Sequence, residues 1–267
     1  MNGSPAAFRL IVCPRTEGRL AMAVDEALAE AVGAGLSPQV VRLYGFSPPT
    51  LSLGRFQKIK GRYFPERLSQ DGITLVRRPT GGHAVLHDDE LTYSVILSKA
   101  LISEQLGDSR KRTVYDFIAR TLLAGLGNLG IRGRINSSRQ GDLRNPDCFR
   151  SAGEFEITAE DGRKLIGSAQ MTTRTAILQH GSIPMSNPGR RVFRYLGVEE
   201  PADSHEPSCL NEQAGRCLSF EEVRSSFAAA IRECLPVEES AILPEEEAAA
   251  RRILADKYSS DSWNLAF

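Results

Sequence analysis

Apolar residues recur along the chain with two periods, and the switches between them mark out the elements. Phe8 to Cys13 has strand character. From Gly18 to Gly33, Leu20, Val24, Ala27, Leu28 and Ala31 fall on one helical face, while Asp25, Glu26 and Glu30 lie mostly elsewhere. Gly33 and Gly35 suit the C-terminal cap of that helix. Gln39 to Gly45 reads as a strand and Thr50 to Gly54 as a short alternating one. Tyr63 to Asp71 reads as a short helix with Pro65 in its first turn. Ile73-Thr-Leu-Val76 is β-branched and apolar, a buried strand, and Leu91 to Leu97 reads as its return across a Gly-Gly turn.

Arg112 to Gly130 predicts a second long helix, striped by Val114, Phe117, Ile118, Leu122 and Leu126. The polar run Asn136 to Pro146 reads as a surface loop. Glu154 to Thr158 alternates, Asp161-Gly162 is a hairpin turn, and Lys164 to Gln170 runs back. Thr175 to Ile183 is a further strand, and Pro184 to Pro207 is irregular. Ser219 to Leu235 and Pro244 to Tyr258 are helical, with Ser219 and Glu222 spaced as a capping box. Strands come in runs with helices before, between and after them. The expected class is therefore α+β, with a mixed or antiparallel central sheet flanked by helices. One domain over residues 1–267 is expected, with 219–267 as a helical C-terminal extension or a cover for the sheet.

Composition narrows the partners. Lys+Arg and Asp+Glu each number 33 in 267 residues, so no global field favours nucleic acid. No apolar run approaches the ~20 residues that cross a bilayer, and the N-terminus is a poor secretion signal. The expectation is a cytoplasmic protein that binds neither nucleic acid nor membrane. Five cysteines without a C-x-x-C pair argue against a disulfide framework or zinc knuckle.

The chemistry concentrates in two stretches. Arg77 to Ser94 packs a basic pair, Gly81-Gly82, His83, His87 and an acidic run into one turn region. Gly81-Gly82 can bring backbone N–H groups against a ligand. Arg77 and Arg78 should point opposite ways, one toward a ligand and one toward solvent or the far face. A glycine hairpin with solvated charges is the plainer reading. His83 and His87 have helical metal-ligand spacing, but their turn-and-strand setting and lack of a third ligand argue against a metal. In the second stretch, Cys148 has polar neighbours, and a thiol attacks only as thiolate, beside a cation such as Lys164. Lys164 could also hold a carbonyl or phosphate oxygen, and Gly167-Ser168-Ala169 would let a ligand chain pass closely. His180-Gly181 could line the same cleft. A small buried cysteine, a solvated edge lysine and small residues at a packing interface remain the alternatives.

In order, MAVDEAL, PPTLSLGRFQ, RRPTGGHAVLHDDELTYSV, CF, GRKLIGSAQ and LQHGSI resemble the lipoate/octanoate protein ligase and transferase family. The match runs from about Leu20 to Ile183, with a weaker echo in KYSSDSWN. The resemblance implies a biotin/lipoate protein ligase-like fold and medium-chain acyl transfer to a lysine of a lipoyl carrier domain. Cys148-Phe149 ahead of the Lys164 strand is similar to the LipM-type octanoyltransferases. These take octanoate from acyl carrier protein through a cysteine thioester and need no cofactor. The implied catalytic pair is Cys148 and Lys164, with Arg77 steering phosphate-bearing or acidic partners. The acyl tunnel would be bordered by Gly81, Gly82, His83, His87, Gly167, Ser168, Ala169, His180 and Gly181. Implied partners are octanoyl-acyl carrier protein and a lipoyl domain or glycine cleavage H-type carrier protein. The alternative is an ATP-dependent lipoate or octanoate ligase, which needs ATP and Mg and forms an acyl-adenylate. His83 stands where many ligases have glycine.

Overall fold

The computed structural model describes residues 8–58, 63–105, 111–136, 156–187, 191–197 and 206–266. The first half runs β1 (Phe8–Thr16), α1 (Gly18–Gly33), β2 (Val40–Phe46), β3 (Thr50–Leu53), α2 (Pro65–Gln70), β4 (Thr74–Arg77), β5 (Val85–His87) and β6 (Glu90–Ser98). It continues with α3 (Lys99–Gln105), α4 (Lys111–Asn128) and β7 (Gly133–Ile135). The second half holds β8 (Ile157–Ala159), β9 (Lys164–Thr172), β10 (Ala176–Pro184), α5 (Arg191–Tyr195), α6 (Leu210–Ala214) and α7 (Phe220–Cys234). It ends with β11 (Val237–Ser240), α8 (Pro244–Ile253), a π-helical turn over Leu254–Tyr258, and α9 (Asp261–Asn264).

Eight strands form one mixed sheet in the order β11-β1-β2-β6-β10-β9-β8-β7. β1 is parallel to β2 and β11, and the pairs from β2 onward are antiparallel. Side chains alternate across a strand, so the sheet buries two apolar layers. On one face Leu10, Leu43, Val95 and Ile177 pack with Ile118, Leu122, Phe227 and Ile231, brought by α4 and α7. On the other, Ile11, Val40, Ile96 and Leu178 pack under Ala21, Val24 and Leu28 of α1 and Ala250 of α8. At about 25 cal/mol per Å² of apolar area, such two-sided burial is the main stabilising contribution.

A second, three-stranded sheet has the order β4-β3-β5. This corrects the expected hairpin. Ile73–Val76 and Leu91–Leu97 do not pair with each other across the glycines. β4 pairs parallel with β3, whereas β6 lies in the main sheet between β2 and β10. The intervening chain folds back as β5, antiparallel to β3. The glycines still carry the turn. Gly82 has φ +93, and a Cβ on Gly54 would sit 1.8 Å from the Gly82 carbonyl oxygen, so only glycine allows this approach.

The C-terminal stretch closes onto this small sheet. Asn264 Oδ1 accepts from the Arg77 backbone N–H at 3.0 Å, and Trp263 Nε1 donates to the Arg77 carbonyl at 2.8 Å. The KYSSDSWN echo therefore has a physical function: it fastens β4. Among the described residues, no helix is long and apolar enough to cross a membrane.

Candidate active site

A pocket opens between the two sheets. The small sheet contributes Ser52, Val85 and His87, with Arg78 beside them. The main sheet contributes Tyr44, Phe46, Thr92, Gly167, Ser168, Ala169, His180, Gly181 and Ser182, and α1 contributes Met22. Six residues expected to line a tunnel thus meet in one cavity: His87, Gly167, Ser168, Ala169, His180 and Gly181.

Small residues make the space. Gly167 and Ala169 sit opposite Ser182 and His180 on β10, which in turn oppose Thr92 and Ser94 on β6. Paired residues project to the same side, so this face of three adjacent strands carries short side chains and one imidazole. A Cβ on Gly181 would lie 2.4 Å from the Gly167 carbonyl oxygen and 2.5 Å from the Tyr93 ring. Tyr93, on the opposite face, bonds Ser168 Oγ at 2.7 Å and receives Gln179 Nε2 at 3.2 Å. Burial raises its phenol to about 12, so it stays a protonated donor.

The pocket floor is anchored by Asp25, which has no exposed surface. This corrects its expected position off the buried face of α1. Its carboxylate accepts from Arg42 Nη1 at 2.8 Å, Tyr44 OH at 2.9 Å, Ser94 Oγ at 2.9 Å and His180 Nδ1 at 3.2 Å. Burial works to raise the Asp25 pKa, but Arg42 and then His180 outweigh it, and the carboxyl sits below its ordinary range. Burial lowers the pKa of His180, and Asp25 offsets only part of this. Neutral His180 with its proton on Nδ1 then accepts at Nε2 from the Thr80 hydroxyl, 2.7 Å away. Thr80 in turn receives Arg78 Nε at 3.1 Å. Arg78 completes the strut by donating to the carbonyls of Gly81 and His83, each at 2.7 Å.

Thr80, His180 and Asp25 have the order of a hydroxyl–histidine–carboxylate nucleophile. Thr80, however, is fully buried and does not line the pocket, so no substrate carbonyl reaches it. The chain of bonds holds the turn rather than attacking. Gly81, Gly82 and His83 likewise do not line the cavity. They form the turn that Arg78 braces at its rim.

Arg77 departs from its expected steering role. It has no exposed surface and donates to the carbonyls of Gly54 at 2.7 Å, Gln57 at 2.9 Å and Trp263 at 3.2 Å. A buried guanidinium spent on backbone carbonyls fixes the Gly54–Gln57 loop and cannot touch a partner. Of the two neighbouring arginines, it is Arg78 that reaches the pocket, and neither points to solvent.

Lys164 opens β9 at a bulge and is not among the residues that line the pocket. Ile157 pairs with Ile166 but Thr158 pairs with Lys164, so one step on β8 matches two on β9. Such an extra residue re-aims the side chains that follow. Ile166 packs into the core, and Lys164 lies two residues before it, at the bulge. There Lys164 is buried, with Nζ 2.7 Å from Glu156 Oε2. Glu156 Oε1 also accepts the Ser168 backbone N–H at 3.3 Å, tying the cation to the pocket strand. Cys148, the expected nucleophile, lies outside the described residues, as do the start of its flanking strand and most of the polar loop before it.

Glu90 was not singled out in the sequence. It is buried, and its carboxylate accepts from His87 Nδ1 at 2.7 Å and from the hydroxyls of Thr92 and Ser182. The His87 ring stacks on Phe46, with centroids 4.2 Å apart.

A family model described as the lipoyl protein ligase A/B catalytic domain matches residues 17–232. The chain belongs to that family. Its curated relatives include octanoyltransferases named LipM. The Symbiobacterium thermophilum protein is 34% identical, covering 97% of this chain and 98% of its own. The Kyrpidia tusciae protein is 36% identical over 96% and 98%. Among solved structures, a lipoate-protein ligase A bound with ATP superposes with TM-score 0.78 at 23% identity, covering 98% of this chain and 99% of its own. The bi-partite lipoate protein ligase of Thermoplasma acidophilum gives 0.76 at 22% identity, over 97% and 96%. The family's fold thus agrees with the mixed sheet flanked by helices.

Proposed function

We infer that this protein is an octanoyltransferase of protein lipoylation, which moves a medium-chain acyl group onto a lysine of a lipoyl carrier domain. The observation that carries the reading is its 34–36% identity to octanoyltransferases LipM over 96–97% of the chain. The pocket supports it: a narrow cavity walled by glycine, alanine, methionine and phenylalanine suits an unbranched acyl chain.

The reaction proceeds in two half-reactions. Cys148 thiolate attacks the thioester carbonyl of octanoyl-acyl carrier protein, a new S–C bond forms, and the carrier thiol leaves. The amine of a carrier-domain lysine then attacks the enzyme thioester; the N–C bond forms and the Cys148 S–C bond breaks. Lys164 supplies a cation for the thiolate and for the oxyanion that develops at the carbonyl. Its Nζ lies 2.7 Å from Glu156 Oε2, which holds the side chain in place. A thioester already carries the free energy needed to form an amide, so this route calls for no nucleotide. The partners in this reading are acyl carrier protein as donor and a lipoyl or H-type carrier domain as acceptor.

The test is the mass of the intact protein after incubation with octanoyl-acyl carrier protein. The wild type gains one octanoyl group, and Cys148→Ala gains none. The competing reading, an ATP-dependent ligase, predicts pyrophosphate release from octanoate and ATP with full activity in Cys148→Ala.

A further inference from the structure

The transfer half-reaction contains a proton problem. A lysine reaches the enzyme as an ammonium and becomes a nucleophile only when a proton is removed. Lys164 Nζ is already engaged by Glu156 Oε2 at 2.7 Å, and Lys164 is not among the residues that line the pocket. Among the described residues that line the pocket, the basic nitrogens belong to Arg78, His87 and His180. The guanidinium is always protonated. His180 has both ring nitrogens occupied, Nδ1 by Asp25 and Nε2 by Thr80.

His87 differs. Its Nδ1 lies 2.7 Å from Glu90 Oε1, which favours the tautomer with the proton on Nδ1 and the lone pair on Nε2. The stack on Phe46 fixes the ring plane. Glu90 is itself held by the Thr92 and Ser182 hydroxyls, so the carboxylate cannot swing away. This is the arrangement of an oriented general base: an imidazole on a cavity wall, with a buried carboxylate behind it.

We propose that His87, oriented by Glu90, is the general base that takes the proton from the acceptor lysine as its nitrogen attacks the enzyme thioester. The proposal rests on the thioester reading given above. The step balances. The lysine N–C bond forms and the cysteine S–C bond breaks; of the two protons the ammonium loses on becoming an amide, the first passes to His87 Nε2 as the nitrogen becomes nucleophilic and the second leaves the adduct to solvent. The imidazolium then returns that proton to the departing thiolate, which leaves neutral histidine, a free thiol and an amide. His87 touches the amine and is catalytic; Glu90 is a positioning residue.

The experiment isolates the second half-reaction. The acyl-enzyme is made with octanoyl-acyl carrier protein and mixed either with a lipoyl carrier domain or with hydroxylamine, which is unprotonated at neutral pH. General base catalysis contributes about 10²–10⁴-fold. His87→Asn, whose amide can still donate to Glu90, should form the acyl-enzyme yet transfer to lysine about 10²-fold or more slowly. Hydroxylamine should discharge it within a few-fold of the wild-type rate. Glu90→Gln keeps the imidazole but weakens its orientation, and should show a smaller loss with the same preference for hydroxylamine. Lysine transfer at the wild-type rate in His87→Asn overturns the proposal. So does a parallel loss toward both nucleophiles in the two variants, which marks a structural role. Absence of any adduct on the wild type removes the thioester reading and this step with it. An adduct on the wild type with parallel losses in the variants removes the His87 assignment alone.

Discussion

His180 and His87 line the same cavity and differ in how they are held. His180 sits within a closed circuit: Asp25 behind it, Thr80 before it, and Arg78 beyond, braced on the glycine turn. Asp25 draws donors from β2, β6 and β10 onto helix α1, so it fastens one helix to three strands. At another anchor, Glu90 presents a basic side chain, His87, at the pocket wall. The lesson is one of spare valence. Where buried polar groups use up one another's donors and acceptors, the result is a scaffold. Where an oriented group keeps a lone pair for a substrate, the result is chemistry.

Mutations should separate the two. Asp25→Ala strands the fully buried Arg42 guanidinium, and breaking such a pair costs about 3–5 kcal/mol. Urea unfolding should show that loss; an unchanged midpoint would contradict the fastening role. Lys164→Ala should do the reverse. The acyl-transfer rate should fall about 10²–10³-fold, the range for losing one oxyanion stabiliser. Its melting point should suffer less than that of Asp25→Ala, which strands a guanidinium with no exposed surface. Gly181→Ala forces a methyl toward the Gly167 carbonyl and the Tyr93 ring, and overpacking of this kind costs about 1–3 kcal/mol. Chemical denaturation, and a raised KM for long acyl chains, should report it.

The smallest effect is a pH slope. Folded His180 has a pKa below its ordinary 6.5, so as pH falls past that value the unfolded chain binds the proton first. Stability is therefore full above about 6.5 and declines below it, with Asp25 adding a further loss at pH values under its ordinary 3.8. Melting curves across this range should show the decline, and His180→Gln should flatten its upper part.

Much of this was legible in the sequence. Helix α1 follows from its period, and its observed limits, Gly18–Gly33, are those expected. The strands β2, β6, β9 and β10 fall within stretches that read as strands in the sequence. Ser219 caps α7 as its spacing suggested, accepting from the Glu222 N–H at 3.2 Å. The hairpin expectation failed because pairing is a long-range choice. Local pattern shows that Ile73–Val76 is a strand but not that Thr50–Leu53 is its neighbour. β11, with the sequence VEES, is mostly polar and joins the sheet edge by backbone pairing with β1. Asp25 was misplaced because a helical wheel counts apolar residues and cannot see a buried ion pair. The clue was Arg42, a charge within an otherwise apolar strand, which needs a buried carboxylate. The bulge at Lys164 leaves no local mark, since it depends on the register with β8. Arg77 and Arg78 show the same limit: alternation predicts opposite directions, but not that both ends are buried.

The central claim is that acyl groups pass from a carrier thioester to a lysine through this pocket. The most direct measurement compares two donors in one assay, with octanoylation of a lipoyl carrier domain read by intact mass. Octanoyl-acyl carrier protein without nucleotide should modify the carrier lysine, and octanoate with ATP and Mg should not. Lys164→Ala should abolish most of the first reaction. Modification from octanoate and ATP alone, with acyl carrier protein inactive as donor, would contradict the account.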